Sequence, residues 1–284
     1  MLFMGSRSSR CPAHLLVLFV LLPFARVSTA ALPELIEQIK PSIVVIGTYA
    51  KTRSPAFVMR GTGFVVGNGT LVATNAHVVP EALDAASGET LLVQAVSGSA
   101  GAQRRLAKTA ARDKSHDLAL LRIEGAPLPA MTLHTAGQVR EGQSVAFTGF
   151  PIGGVLGLSP VTHRGIISAI TPIALPGATA NQLNAQVIKR LKSGTFDIYQ
   201  LDATAYPGNS GGPLFEMEKG EVIGIINMVF VKSTKESVLS QPSGISFAVP
   251  VLYLHELLRE VRGELFQNQA IAIQALECLT TLMA

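Results

Sequence analysis

The 284-residue chain contains no tryptophan, and aromatic residues make up only 6% of it. A nucleic-acid binder of this size needs aromatic platforms interleaved with basic residues, and no such cluster is present. Cysteine is nearly absent, with only Cys11 and Cys278. A disulfide framework is therefore excluded, and the fold must be held by its apolar core. His134, His163 and His255 lack the spacing of metal ligands, so no metal or cofactor is expected. The first thirty residues contain no Asp or Glu but carry Arg7, Arg10 and Arg26. The pI of about 9.2 stems from that asymmetry, since the remainder has 20 basic and 19 acidic residues. A near-neutral body does not read as a nucleic-acid partner. Long apolar runs are missing too. The run from His14 to Ala25 is interrupted by Pro23 and falls short of the ~20 residues that a spanning helix needs. With Arg7 and Arg10 ahead of it and Ser28-Thr29-Ala30 behind, residues 1–30 read as a signal peptide cleaved after Ala30. No membrane span is expected once it is removed. Cys11 leaves with the signal, and Cys278 is a lone small hydrophobe.

What the chain has in abundance is short Val- and Ile-rich runs between Gly and Pro turns, within an overall apolar content of 48%. That pattern predicts an all-β fold. Expected strands include 42–49, 63–66, 71–74, 90–96, 106–111, 131–133, 144–148, 161–170, 198–201, 221–231 and 244–250. Asn68-Gly69 marks a hairpin between two of them. Residues 33–40 have helical spacing that Pro41 ends, and 251–261 and 264–282 are helical again. Leu254, Leu257, Leu258 and Val261 share one face of the first C-terminal helix. That stripe reads as core against a barrel, with an oligomer or partner contact as the second reading.

The chemistry centres on Gly208-Asn209-Ser210-Gly211-Gly212-Pro213-Leu214. A glycine-rich serine loop can be a mere surface turn. It also has the features of a nucleophile: a serine needing a base, and glycines that let the backbone turn and a substrate approach. A base is available at His77, in Thr74-Asn75-Ala76-His77-Val78-Val79, and a carboxylate at Asp117, which opens Leu118-Ala119-Leu120-Leu121. Asp113 and Asp202 compete for that role, but Asp117 directly precedes a buried strand. His116 matches no motif and is expected to be exposed.

The four segments GTGFVV (61–66), TNAHVV (74–79), DLALL (117–121) and GNSGGPL (208–214) resemble the motif set of the trypsin-like serine proteases, most closely the HtrA/DegP branch. The resemblance extends from about Leu35 to Val251. It implies two six-stranded Greek-key β-barrels, divided near 128–143, within a protease domain over 31–250. His77, Asp117 and Ser210 become the triad, and the backbone N–H groups of Gly208 and Ser210 the oxyanion hole. The position that carries the selective aspartate in trypsin-like enzymes is Thr204, so the specificity pocket is assigned to Thr204, Ala205, Ile225, Ile226 and Asn227. It is uncharged, with Asp202 as the one rival floor, and small or medium aliphatic residues are expected before the cut. Asn209 stands where chymotrypsin-type zymogens have an aspartate, so activation by a new buried N-terminus is not expected. The chain departs from the HtrA pattern after Pro250, where 34 residues replace a PDZ domain, and in the insert 171–195, which is either an access gate or a surface decoration. The implied activity is a periplasmic or secreted serine endopeptidase acting on polypeptides. The alternatives are a chaperone-like binder using the same cleft and a protease resting with a collapsed oxyanion hole. Sequencing of the exported protein should find its N-terminus at Ala31, and a chain still beginning at Met1 would contradict the signal assignment.

Overall fold

The computed structural model describes residues 32–97, 101–135, 137–152, 157–173, 196–228 and 244–263. The signal segment, most of the 171–195 insert and the helix expected over 264–282 lie outside the described residues. Helix α1 (Leu32–Ile39) buries Leu35 and Ile39 and gives way to a 3-10 turn, Lys40–Ser42, at Pro41. Proline cannot continue the helical ladder. The first six strands are β1 (Ile43–Tyr49), β2 (Phe57–Val66), β3 (Leu71–Asn75), β4 (Thr90–Ser97), β5 (Gly101–Asp113) and β6 (Leu118–Ile123). The second six are β7 (Ser144–Gly149), β8 (Val161–Pro172), β9 (Asp197–Asp202), β10 (Pro213–Glu216), β11 (Val222–Asn227) and β12 (Ile245–Pro250). A last helix, α2, covers 251–263.

Each set closes into an antiparallel barrel. The first runs β1-β2-β3-β6-β5-β4, and the second repeats that order as β7-β8-β9-β12-β11-β10. Closure removes the exposed edges that a sheet otherwise presents. The expected two-barrel all-β fold is what forms. The expected strand at 131–133 is not there. That segment is a tether, with Leu133 bridging Val222 and Met131 inserted into the core. Its backbone groups are used up holding one barrel to the other: Met131 N–H donates to Val65 O at 2.9 Å and Val222 N–H to Thr132 O at 2.8 Å.

The runs Ile43-Val44-Val45-Ile46 and Leu118-Ala119-Leu120-Leu121 are apolar without alternation because both of their faces are buried. Val44, Ile46, Ala119 and Leu121 fill the first barrel. Ile43, Val45, Leu118 and Leu120 point out of it into a second cluster, shared with Ala146, Phe150, Phe215, Ile225 and Val249 of the other barrel. A third cluster, around Phe147, Ile167, Leu201 and Leu214, fills the second barrel. The period of two along a strand sorts the side chains between barrel interior and barrel interface. Both helices seal the interface: Leu35 and Ile39 of α1, and Leu254, Leu257, Leu258 and Val261 of α2, belong to the shared cluster. The α2 stripe is thus core, as the first of its two readings had it.

Leu254 is fully buried at 0% exposure. Leu254→Ala should lower stability by about 2–5 kcal/mol, measured by urea denaturation. A loss of only a few tenths would mean that α2 is dispensable to the core.

Candidate active site

Strand β3 ends at Asn75, and a 3-10 turn, Ala76–Val78, carries His77. Strand β6 pairs with β3, Asn75 opposite Leu118, which brings Asp117 beside that turn. Asp117 has φ +56°, a left-handed conformation that aspartate tolerates better than most residues. It is held there on all sides. Its carbonyl accepts Ala76 N–H at 2.9 Å and Asn75 Nδ2–H at 3.1 Å. Its carboxylate accepts His77 N–H at 2.9 Å on Oδ1, and on Oδ2 both His77 Nδ1–H at 2.6 Å and Asn227 Nδ2–H at 2.7 Å. With Nδ1 donating, His77 Nε2 is left as the free acceptor of the neutral ring.

Ser210 lies between β9 and β10 and is 6% exposed. Its loop folds through Asn209 N–H to Tyr206 O and Gly212 N–H to Asn209 O, and is tied to β11 by Gly211 N–H to Ile226 O and Ile226 N–H to Gly212 O, all at 2.9 Å. The first barrel grips the same loop. Thr62 N–H donates to Ser210 O at 2.9 Å, and Thr62 Oγ1–H donates to Gly208 O at 2.6 Å while accepting Phe150 N–H at 3.1 Å. A Cβ on the neighbouring Gly61 would meet Val78 Cγ2 at 2.7 Å and Ser210 O at 3.0 Å. The His77 turn and the serine loop therefore meet over this glycine. Ser210 Oγ has no hydrogen bond among the described residues.

The glycines of the loop serve packing. A side chain on Gly211, at φ +85°, would run into Thr62 O and Thr74 Oγ1, and one on Gly212 would meet Thr148 O at 2.5 Å. Gly208 has φ +104°, which only glycine adopts without strain. Pro207 O accepts Ile152 N–H at 2.7 Å. In a planar trans peptide the next N–H points the opposite way, so Gly208 N–H faces away from Ile152. Neither Gly208 N–H nor Ser210 N–H has a partner among the described residues.

The five residues assigned to a specificity pocket are placed differently from one another. Thr204 is half-buried between Ala203 and Ala205, and Ser246 clamps both neighbours: its Oγ–H donates to Ala203 O at 2.7 Å and it accepts Ala205 N–H at 2.8 Å. Asp202 is exposed, so it forms no buried pocket floor. Ile225 and Ile226 are at 0% exposure in the interface and barrel clusters, respectively. This corrects the expectation that they wall an open slot: both faces of β11 are already filled by core. Asn227 is likewise fully buried and spends its amide on Asp117. It orients the carboxylate where a pocket wall was expected. Thr62 was missed altogether. A threonine flanked by two glycines in a strand was the available signal, since a short hydroxyl between side-chain-free neighbours suits a close backbone approach.

Other histidines are engaged as well, among them His116 and His163. His116 was expected to be exposed, but its side chain is 22% exposed and is bonded to Asp113. His163 stacks on Phe147, with ring centroids 4.9 Å apart, and its buried Nε2 has no partner.

A two-barrel fold with a histidine–carboxylate pair in one half and a buried, backbone-clamped serine in the other defines the chymotrypsin-type class. A profile of the trypsin-like peptidase domain matches residues 61–225, and the chain belongs to that family. Among similar proteins are the probable periplasmic serine endoprotease DegP-like of Halomonas elongata, 31% identical over 72% of this chain and 35% of its own length, and serine protease HTRA3 of mouse, 30% identical over 84% of this chain and 45% of its own. Serine protease HTR4 of Bos taurus is 28% identical, again over 84% of this chain. The chain spans about a third of the bacterial relative and less than half of the mouse one.

The environment of His163 has a measurable consequence. Burial pushes its pKa below the ordinary 6.5, so the folded state favours the neutral ring. In the unfolded chain the ring gains a proton as pH falls through about 6.5, while the folded protein resists it. The stability contributed by the neutral ring is therefore complete above that pH and declines below it. His163→Phe, which keeps a ring on Phe147, should flatten the fall in stability between pH 7.5 and 5, measured by urea denaturation. Parallel curves for the two proteins would show that His163 takes up its proton freely in the fold.

Proposed function

We propose that this protein is a periplasmic or secreted serine endopeptidase, and the observation that carries the reading is the His77 Nδ1–Asp117 hydrogen bond of 2.6 Å beside the clamped Ser210 loop. Ser210 Oγ attacks the scissile carbonyl. His77 Nε2 takes its proton and returns it to the leaving amine. Asp117 holds the ring in the tautomer that leaves Nε2 free and stabilises the imidazolium that forms. Asn227 and the His77 N–H share the carboxylate and keep it from rotating. The N–H groups of Gly208 and Ser210 receive the oxyanion. Their lack of other partners among the described residues, and the tie of Pro207 O to Ile152, support an assembled hole over a collapsed one. Losing one such donor costs about 10²–10³ in turnover. The missing Ser210–His77 bond is in keeping with this, since catalytic hydrogen bonds in free enzymes are often long and tighten with substrate.

The substrates are unfolded or flexible polypeptide segments. Thr204 faces the residue before the cut, and the exposed Asp202 leaves no buried charge to hold Lys or Arg. Small and medium aliphatic side chains are therefore preferred, loosely, because one methylene changes affinity in an apolar pocket by only about 1–3 kcal/mol. Export is supported by the basic, apolar and small-residue zones of residues 1–30 and by the word periplasmic in the name of the bacterial relative. Among the described residues no helix is long and apolar enough to cross a membrane.

A fluorophosphonate probe should label the exported protein on Ser210 and leave Ser210→Ala unlabelled. A peptide library read by mass spectrometry should then be cut after Val, Ala, Leu or Ile. Native protein that neither labels nor cleaves overturns the protease reading and favours the binder. Labelling that appears only with added peptide favours a resting state that opens on demand. Dominant cuts after Lys or Arg would overturn the pocket alone.

A further inference from the structure

The residue that enters Asp117 from the other side of the chain is His116, and nothing in the triad uses it. The turn from β5 to β6 is folded around Asp113. Its Oδ1 accepts Ser115 N–H at 2.8 Å and His116 N–H at 3.1 Å, and its Oδ2 accepts His116 Nδ1–H at 2.5 Å. The imidazole so fixed does not stay on its own barrel. It stacks on Tyr253 of α2, centroids 3.9 Å apart and planes 14° from parallel, and takes the edge of Phe196, just ahead of β9, at 4.7 Å and 71°. Phe196 and Tyr253 touch each other at 5.4 Å and 74°. Three rings from three separate elements thus meet at the residue peptide-bonded to Asp117. Edge-to-face pairs such as the two with Phe196, at 4.7 and 5.4 Å, are favourable beyond the area that they bury.

Asp117 needs such support. Its φ of +56° is held on the far side by Ala76, Asn75, His77 and Asn227. On the near side the chain enters through the His116 peptide, which the Asp113 turn fixes. A non-glycine residue in this region persists where its surroundings over-determine it. If the His116 ring leaves its seat, the turn is free to relax, and the carboxylate swings with the Asp117 backbone.

We propose that His116 is a positioning residue for Asp117, seated by Phe196 and Tyr253, so that the packing of α2 sets the alignment of the His77–Asp117 pair. This rests on the endopeptidase reading for its kinetic consequence but not for its structural one. Misplacement of a catalytic group by about 1 Å costs up to about 10²-fold. The loss belongs in kcat, because Asp117 acts when imidazolium forms, and KM should stay within about twofold.

The test compares wild type with Tyr253→Phe, Tyr253→Ala, His116→Ala and His116→Phe on one peptide substrate, together with the low-field proton resonance of His77 Nδ1–H. Tyr253→Phe keeps the stack and should keep wild-type kcat. Tyr253→Ala should lose at least about tenfold in kcat, and the resonance should broaden or shift upfield. His116→Ala empties the seat and should show the same kcat loss and spectral change, whereas His116→Phe, which keeps a ring against Phe196 and Tyr253, should stay close to wild type in both. The proposal is overturned if His116→Ala keeps both the wild-type kcat and the resonance, if His116→Phe loses as much as His116→Ala, or if Tyr253→Ala lowers only the melting temperature. If wild type itself neither labels with fluorophosphonate nor cleaves, the endopeptidase reading has failed. The resonance in the variants then still decides whether His116 positions Asp117.

Discussion

Thr62 is the point on which the site depends. Its backbone N–H binds the Ser210 carbonyl and its hydroxyl binds the Gly208 carbonyl while taking Phe150 N–H. One residue of the first barrel thus sets the height of Ser210 and the orientation of the peptide that follows Gly208, both in the second. Gly61 and Gly63 on either side let the strands come this close: a Cβ at either would meet neighbouring side chains at 2.7 Å. The arrangement leaves little room for adjustment, because every backbone group involved already has its partner in the opposite barrel.

That contact is affordable only because the barrels share a core. Alternate residues of β1 and β6 leave their own barrel to pack on Ala146, Phe150, Phe215 and Ile225. The apolar interface fixes the barrels as one body, and the few polar links across it act within that fixed distance. Asn227 is the clearest example. A fully buried amide spans from β11 to Asp117 at 2.7 Å, and such a bond is worth having only if neither end moves.

The barrels were legible because strand-forming runs bounded by glycine and proline recur along the chain, and because continuous apolar runs such as 43–46 need two buried faces. The serine loop and the His77 and Asp117 segments stood out as motifs, being local in sequence. What was not legible is long-range. Asn227 and Asp117 are separated by 110 positions, and nothing near Asn227 says that its amide turns to a carboxylate. Ile225 and Ile226 looked like pocket walls by position, but the same two-faced burial that explains β1 takes them out of reach. His116 looked exposed because its seat comes from Phe196 and Tyr253, 80 and more positions further on. The strand expected at 131–133 failed for a related reason: its hydrogen bonds run to two different barrels, and no ladder can form.

The division of the site between the barrels also orders events in time. His77, Asp117 and Thr62 lie on the first half of the chain, and Ser210, Gly208 and Asn227 on the second. As the polypeptide is made, a histidine–aspartate pair without a serine comes first. The serine loop that follows is bonded to β11 through Ile226 and to the first barrel through Thr62, so it has its full set of partners only once both barrels are complete. A chain that stops short of β11 therefore lacks the contacts that shape the Ser210 loop.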